Sequence, residues 1–151
     1  MIQERTFASS SLLEPTATGL VSIFIGDGKG KTTAAIGTVI RAVGHGLRVF
    51  VVFFMKGRDY VHGEFAVLDK LPNVTMMSFG QKGWIVKDDV KPEHKKQAAL
   101  ALTSAREAML NGNYDLVVLD EVNIAIASKL VELDEVLRLI DIKPQNVELI
   151  L

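Results

Sequence analysis

Apolar residues in this chain collect into short unbroken runs separated by longer stretches of helical periodicity. Leu20-Val21-Ser22-Ile23-Phe24-Ile25 is the first run, and Val49–Phe54, inside Leu47–Met55, is the second. Val74 to Phe79, the stretch Asp115–Glu121 and Val147–Leu151 complete the set. Each has the length of a strand, and Val49–Phe54 shows no polar alternation, as a parallel strand covered on both faces requires. Between the runs lie stretches that read as helices. Lys31 to Val43 is apolar nearly all round and stops at Gly44-His45-Gly46, a helix C-terminal signal. A short helix begins at Gly63-Glu64 and ends near Leu71-Pro72. The longest starts at Pro92 and is terminated by Asn111-Gly112; Ala98, Ala101, Leu102, Ala105 and Met109 form its apolar stripe, and Lys95, Lys96, Arg106 and Glu107 flank that stripe on a solvated face. Val122–Lys129 and Leu133–Ile142 are two further helices, the second stopped by Pro144. Strands alternating with helices predict an α/β fold of three layers with a mostly parallel sheet.

The ends of the chain break this pattern. Residues 1–19, with Ser9-Ser10-Ser11, Pro15 and Gly19, read as a flexible N-terminal arm with a short helical turn at Ser11–Glu14, and 20–151 as one nucleotide-binding domain. The last run stops at Leu151 with no loop or helix beyond it, which suggests a shortened C-terminus.

Composition narrows the function. The 151 residues are enough for a domain with a core of its own. A net charge of −1 gives no reason to expect nucleic acid or an anionic membrane as a partner. No cysteine is present, so disulfides, thiol nucleophiles and thiolate metal sites are excluded together. His45, His62 and His94 are widely spaced and follow no metal-ligand pattern. No apolar stretch is as long as a membrane span and the first residues do not read as a signal peptide, so the expectation is a cytoplasmic protein.

Candidate chemistry centres on Gly26-Asp27-Gly28-Lys29-Gly30-Lys31-Thr32-Thr33, which follows the first strand and opens the first helix. Strand, glycine-rich turn and a helix beginning at Lys-Thr form the context of a P-loop: backbone N–H groups curl around phosphate oxygens, helped by the positive end of the new helix. Lys31 would neutralise phosphate and the Thr32 hydroxyl would sit on Mg²⁺. The usual spacing asks for a glycine at position 25, where this chain has Ile25, so the loop is a variant. Downstream, Leu116-Val117-Val118-Leu119 followed by Asp120-Glu121 places two carboxylates at the carboxyl edge of a buried strand, beside the P-loop. In such a Walker B arrangement one acid holds Mg²⁺ and the second orients a group or a water. With loop and acids ending at one edge of the sheet, the expected fold is a three-layer P-loop NTPase (RecA-like) one with a mostly parallel sheet. The loop Gly80-Gln81-Lys82-Gly83-Trp84-Ile85 follows the third strand at the edge where α/β proteins bind ligands, and carries the only tryptophan.

Beyond this point a resemblance extends the reading. The run at 26–35 followed by Arg41-Ala42-Val43-Gly44-His45-Gly46 resembles the P-loop corrinoid adenosyltransferases, as do Phe54-Met55-Lys56-Gly57, Gly63-Glu64, Val117–Glu121 and Leu133–Leu137 in the same order. The resemblance covers about residues 18–151 and includes Ile25 in place of the first Walker glycine. It implies ATP and Mg²⁺ as cofactors and a reduced corrinoid, cob(I)alamin, as substrate, with Co(I) attacking C5′ of ATP and expelling triphosphate. It assigns Thr32, Asp120 and Glu121 to the metal, and Lys29, Lys31 and Thr33 to phosphates within the nucleotide-binding set Gly26–Thr33. Arg41 is a further nucleotide contact on the same grounds. Lys31, Thr32 and Glu121 are implied as catalytic, with Trp84 as the aromatic that helps exclude the corrinoid's lower ligand. The family also suggests a homodimer supplied by a flavoprotein reductant. Two other readings stay open: an ordinary P-loop NTPase or kinase, and a non-catalytic module that binds nucleotide or corrinoid.

Overall fold

A computed structural model describes residues 18–57, 62–80 and 90–151. Its ten elements run β1 (Val21–Ser22), α1 (Lys31–Gly44), β2 (Val49–Phe53), α2 (Gly63–Leu68), β3 (Val74–Ser78), α3 (Pro92–Leu110), β4 (Leu116–Asp120), α4 (Val122–Ala127), α5 (Leu133–Asp141) and β5 (Glu148–Ile150). The five strands form one sheet in the order β1-β5-β4-β2-β3, and every pairing is parallel. Each parallel neighbour must be reached by a crossover, and the helices supply those crossovers on both faces.

The period-two pleat explains the two-sided core. Val49, Val51 and Phe53 of β2 pack with Leu116, Val118 and Ile150 under α1 and α2. Phe50, Val52, Val117, Leu119 and Leu149 face the opposite way, under α3, α4 and α5. All five residues of β2 and all five of β4 are buried. This is the burial that an apolar run without alternation predicts. In α3 the stripe Ala98, Ala101, Ala105 and Met109 is buried as the spacing requires, with Leu102 at its margin.

Three expectations are corrected. The first strand, expected over Leu20–Ile25, forms a regular ladder only at Val21–Ser22. Among the described residues it has a single neighbour, β5, although backbone bonds to Leu149 and Leu151 extend the attachment from Leu20 to Phe24. Helix α1 is not covered all round: Ala35, Val39 and Ala42 are buried, while Ile40 is 53% exposed. Its apolar outer surface reflects composition rather than burial. Helices α2 and α4 each end sooner than the periodicity suggests, at Leu68 and Ala127. The expected arm falls largely on residues 1–17, outside the described residues.

Where the described chain enters β1 it is tied down. The Lys143 ammonium donates to the carbonyls of Gly19 (2.8 Å), Pro144 (3.0 Å) and Val147 (2.7 Å). The Gly19 N–H donates to Gln145 O at 2.6 Å. A Cβ at position 19 would run into the Val147 carbonyl, so only glycine allows this approach.

Candidate functional site

The parallel sheet brings the carboxyl ends of β1, β4 and β2 to one edge, and the loops leaving them meet there. After β1 the chain turns through Gly26 (φ 140°) and Gly30 (φ 108°), left-handed conformations that glycine adopts at no steric cost. Gly30 is the N-cap of α1 and supplies no side-chain cap, so the first N–H groups of the helix have no side-chain acceptor there. Gly26, Asp27, Gly28, Lys29, Gly30 and Thr33 are all exposed. The Lys31 ammonium folds back across the loop and donates to the carbonyls of Gly26 (2.6 Å) and Gly28 (2.8 Å).

The next residue connects the loop to β4. Thr32 Oγ1 donates to Asp120 Oδ1 at 2.9 Å, joining positions 88 residues apart. Asp120, 7% exposed, is the one buried charged residue among those described. Its other oxygen, Oδ2, accepts from Lys56 Nζ at 2.7 Å, and the same ammonium lies 3.5 Å from Thr32 Oγ1. Lys56 is also 3.5 Å from Glu64 Oε1 and 3.9 Å from Glu121 Oε1, with its side chain 10% exposed. His62 Nδ1 approaches Glu64 Oε1 at 4.0 Å. Burial pushes the Glu121 carboxyl above the ordinary glutamate value; Lys56 opposes this, Asp120 and Glu64 reinforce it, and Lys31 opposes it more weakly.

Backbone geometry marks the same place. Met55 (φ 61°) and Glu121 (φ 67°) are non-glycine residues in the left-handed region, directly beside Lys56 and Asp120. Such conformations cost energy and persist where surrounding contacts over-determine them. Here the Ser78 hydroxyl donates to Lys56 O. A Cβ on Gly80 would come within 2.7 Å of the Met55 carbonyl carbon and 2.8 Å of Lys56 N, so β3 closes on this turn without a side chain between them.

Lys31, Thr32, Asp120 and Glu121 line one small cavity of about 60 Å³, together with Asn123 and apolar neighbours. A wider cleft of about 550 Å³ lies at the other edge of the sheet, along β3 and α2, with Asp69 as its only ionisable lining residue among those described. The chemistry belongs to the first. The structure therefore brings together Lys31, Thr32, Asp120 and Glu121. It leaves Arg41 exposed in the last turn of α1, ten residues beyond Lys31 and so about 15 Å along the axis. Trp84 falls within 81–89, outside the described residues.

Lys56 and Glu64 fall within stretches that resemble the family, but the sequence alone assigns neither a role. A signal existed for the lysine, because the residue that follows a fully buried parallel strand by a short step stands at the ligand-binding edge. For Glu64 no comparable signal exists, since only the fold carries α2 toward β4.

Oxygen donors at this point suit magnesium, which is held by one or two carboxylates and completes its shell with water and substrate phosphate. Thr32, Asp120 and Glu121 supply that chemistry, and a cation, the Lys56 ammonium, already contacts two of the three. Among the described residues no group of three or more His, Cys, Asp or Glu side chains could enclose a metal alone.

Parallel sheet, glycine-rich loop and the acids facing it define an α/β P-loop protein. The family model for ATP:corrinoid adenosyltransferase BtuR/CobO/CobP matches residues 17–151, and the chain belongs to that family. It is 37% identical over 128 residues to a corrinoid adenosyltransferase of Pseudomonas aeruginosa, covering 83% of this chain and 62% of the relative. A corrinoid adenosyltransferase of Escherichia coli is 32% identical, covering 85% and 64%. The corrinoid adenosyltransferase CobA of Salmonella typhimurium is 36% identical, covering 83% and 63%. This chain thus spans slightly less than two thirds of the length of these relatives.

Proposed function

We propose that this chain transfers the 5′-deoxyadenosyl group of ATP to the cobalt of a reduced corrinoid and releases triphosphate. The observation that carries the proposal is the Thr32–Asp120–Lys56 junction directly under a glycine-rich loop, in a chain that belongs to this family. In the reaction the Co(I) electron pair forms a bond to C5′ of the substrate nucleotide, and the C5′–O bond breaks with its electrons going to the triphosphate. The nucleophile is already potent, so no protein base is needed. The task of the residues is to position the two substrates and to stabilise the leaving charge.

Lys31 would exchange its two carbonyl acceptors for phosphate oxygens, and the N–H groups of Gly26–Thr33 would surround the chain of phosphates. Thr32, Asp120 and Glu121 would hold Mg²⁺, whose contribution is to neutralise charge on the departing triphosphate. Lys29 and Thr33 are assigned to phosphate contacts, and Asp27 to the nucleotide-binding loop without a phosphate contact of its own. Arg41 stands apart from this group and can contact nucleotide only at a distance from the loop. The resemblance extends the proposal to Trp84 as the aromatic beside the corrinoid, a cytoplasmic homodimer, and a flavoprotein as electron source. No helix among the described residues is long and apolar enough to cross a membrane.

The test is anaerobic incubation with ATP, Mg²⁺ and chemically reduced cob(I)alamin, following absorbance and phosphate products. A light-sensitive Co–C bond with one triphosphate per corrinoid is the expected result. Release of ADP and phosphate with an unchanged corrinoid would instead identify an ordinary NTPase. Binding without turnover would identify a carrier module.

A further inference from the structure

Lys56 belongs to the junction that carries the proposed function but has been given no task of its own, yet it is held by more contacts than Lys31 beside it. Its ammonium touches Thr32 Oγ1 and Asp120 Oδ2, two of the oxygens to which magnesium is assigned. Glu64 and Glu121 add their charge at 3.5 and 3.9 Å, so three carboxylates converge on one lysine. Its backbone is held as tightly as its head group. Met55 before it is left-handed, Ser78 bonds its carbonyl, and Gly80 admits the close passage of β3. Its ammonium also lies 5.1 Å from the centre of the Phe53 ring. A lysine on a freely chosen surface position needs none of this.

We propose that Lys56 is a tethered cation that keeps the metal position closed to a lone divalent ion, so that metal enters only together with the nucleotide. The inference rests on the nucleotide-site reading and deepens it. Ammonium and divalent ion would compete for the same acidic oxygens, and their mutual repulsion at such separations exceeds thermal energy several-fold even in a fairly polar site. Metal alone therefore has to displace a paired lysine and gains only one or two carboxylates. Metal arriving with a polyphosphate brings its own oxygen ligands and offers the ammonium a new anionic partner. Lys56 then moves from Asp120 toward phosphate without being left unpaired. Uptake of the ion is thereby conditional on uptake of nucleotide.

The test uses Mn²⁺ alone as probe, its free concentration read by electron paramagnetic resonance in titrations of the full chain. Lys56→Met should bind Mn²⁺ at least tenfold more tightly than wild type, and Lys56→Arg, which keeps the charge, should resemble wild type. Lys56→Gln retains an N–H donor for Asp120 while removing the charge, and should follow Lys56→Met; it serves if the methionine variant does not fold. A merely structural lysine would not yield a gain in metal affinity on removal. Equal or weaker Mn²⁺ binding by the neutral variants, with Mg·ATP binding intact in wild type by calorimetry, overturns this inference and leaves the nucleotide site standing. Absence of Mg·ATP binding in wild type overturns both.

Discussion

Two stretches of backbone border the same cavity and are built in opposite ways. Gly26–Gly30 is exposed, follows a strand with a two-residue ladder, and is crossed by a single side chain, Lys31. Met55–Gly57 and Asp120–Glu121 leave two fully buried strands, adopt left-handed backbone at two points, and are linked by a 2.7 Å ion pair. The first stretch is shaped for something still to arrive, since its N–H groups and lysine have better acceptors in phosphate than in its own carbonyls. The second is finished beforehand, with acids and cation already satisfied. The lesson is a division of labour. On the proposed function, one wall would adapt to phosphate and the other would set where charge and metal lie.

That contrast can be broken experimentally. Leu119→Ala, fully buried in β4 beside Asp120, should remove about 3 kcal/mol of stability, measured by urea unfolding. It should weaken the site with the fold, because on this wall the two are inseparable. Lys31→Ala should lower kcat/KM by about 100-fold, roughly 2.7 kcal/mol, while the melting temperature barely changes. A large loss of stability in that variant would mean that the loop wall is structural after all. Gly80→Ala forces β3 away from Met55 and Lys56 and should cost about 2 kcal/mol. Its ATP binding should fall further than that of an equally destabilised core variant, and an equal fall would separate the turn from the site.

The smallest effect concerns pH. The Glu121 carboxyl is raised above its ordinary value of 4.5, so the fold favours its neutral form. The associated stabilisation is complete below the unfolded value and is lost as pH rises through the folded one. Melting temperatures between pH 4 and 7 should therefore show a decline in wild type that Glu121→Gln lacks. Coincident profiles would place Glu121 in a solvated setting and weaken the account of a finished wall.

The same contrast governs what could be read from residues alone. Val49–Phe53 and Leu116–Asp120 are legible because a strand buried on both faces must be apolar throughout, and the acids that end the second stand out against it. Thr32 and Asp120 could be placed together because loop and strand each announce their ends. Leu20–Ile25 is equally apolar but has a neighbour on one side only, and composition does not record how many partners a strand has. Ile25, 78% exposed, illustrates the cost of that ambiguity. Lys56 escaped because its meaning lies in Glu64, Ser78, Gly80 and Asp120, which are scattered through the sequence and converge only in three dimensions.

The attachment of β1 bears on the order of events during synthesis. The strand that launches the glycine-rich loop is translated before the other described strands, yet among the described residues its one ladder partner is Glu148–Ile150, and its entry is secured by Lys143. A ribosome therefore delivers the loop long before the strand that anchors it, and the intervening sheet order β5-β4-β2-β3 can assemble first. The bond from Leu20 N to the Glu148 carboxylate spans 128 residues, so it cannot form before Glu148 has been made. A nascent chain that has not yet reached Glu148 therefore lacks the strand that anchors its glycine-rich loop.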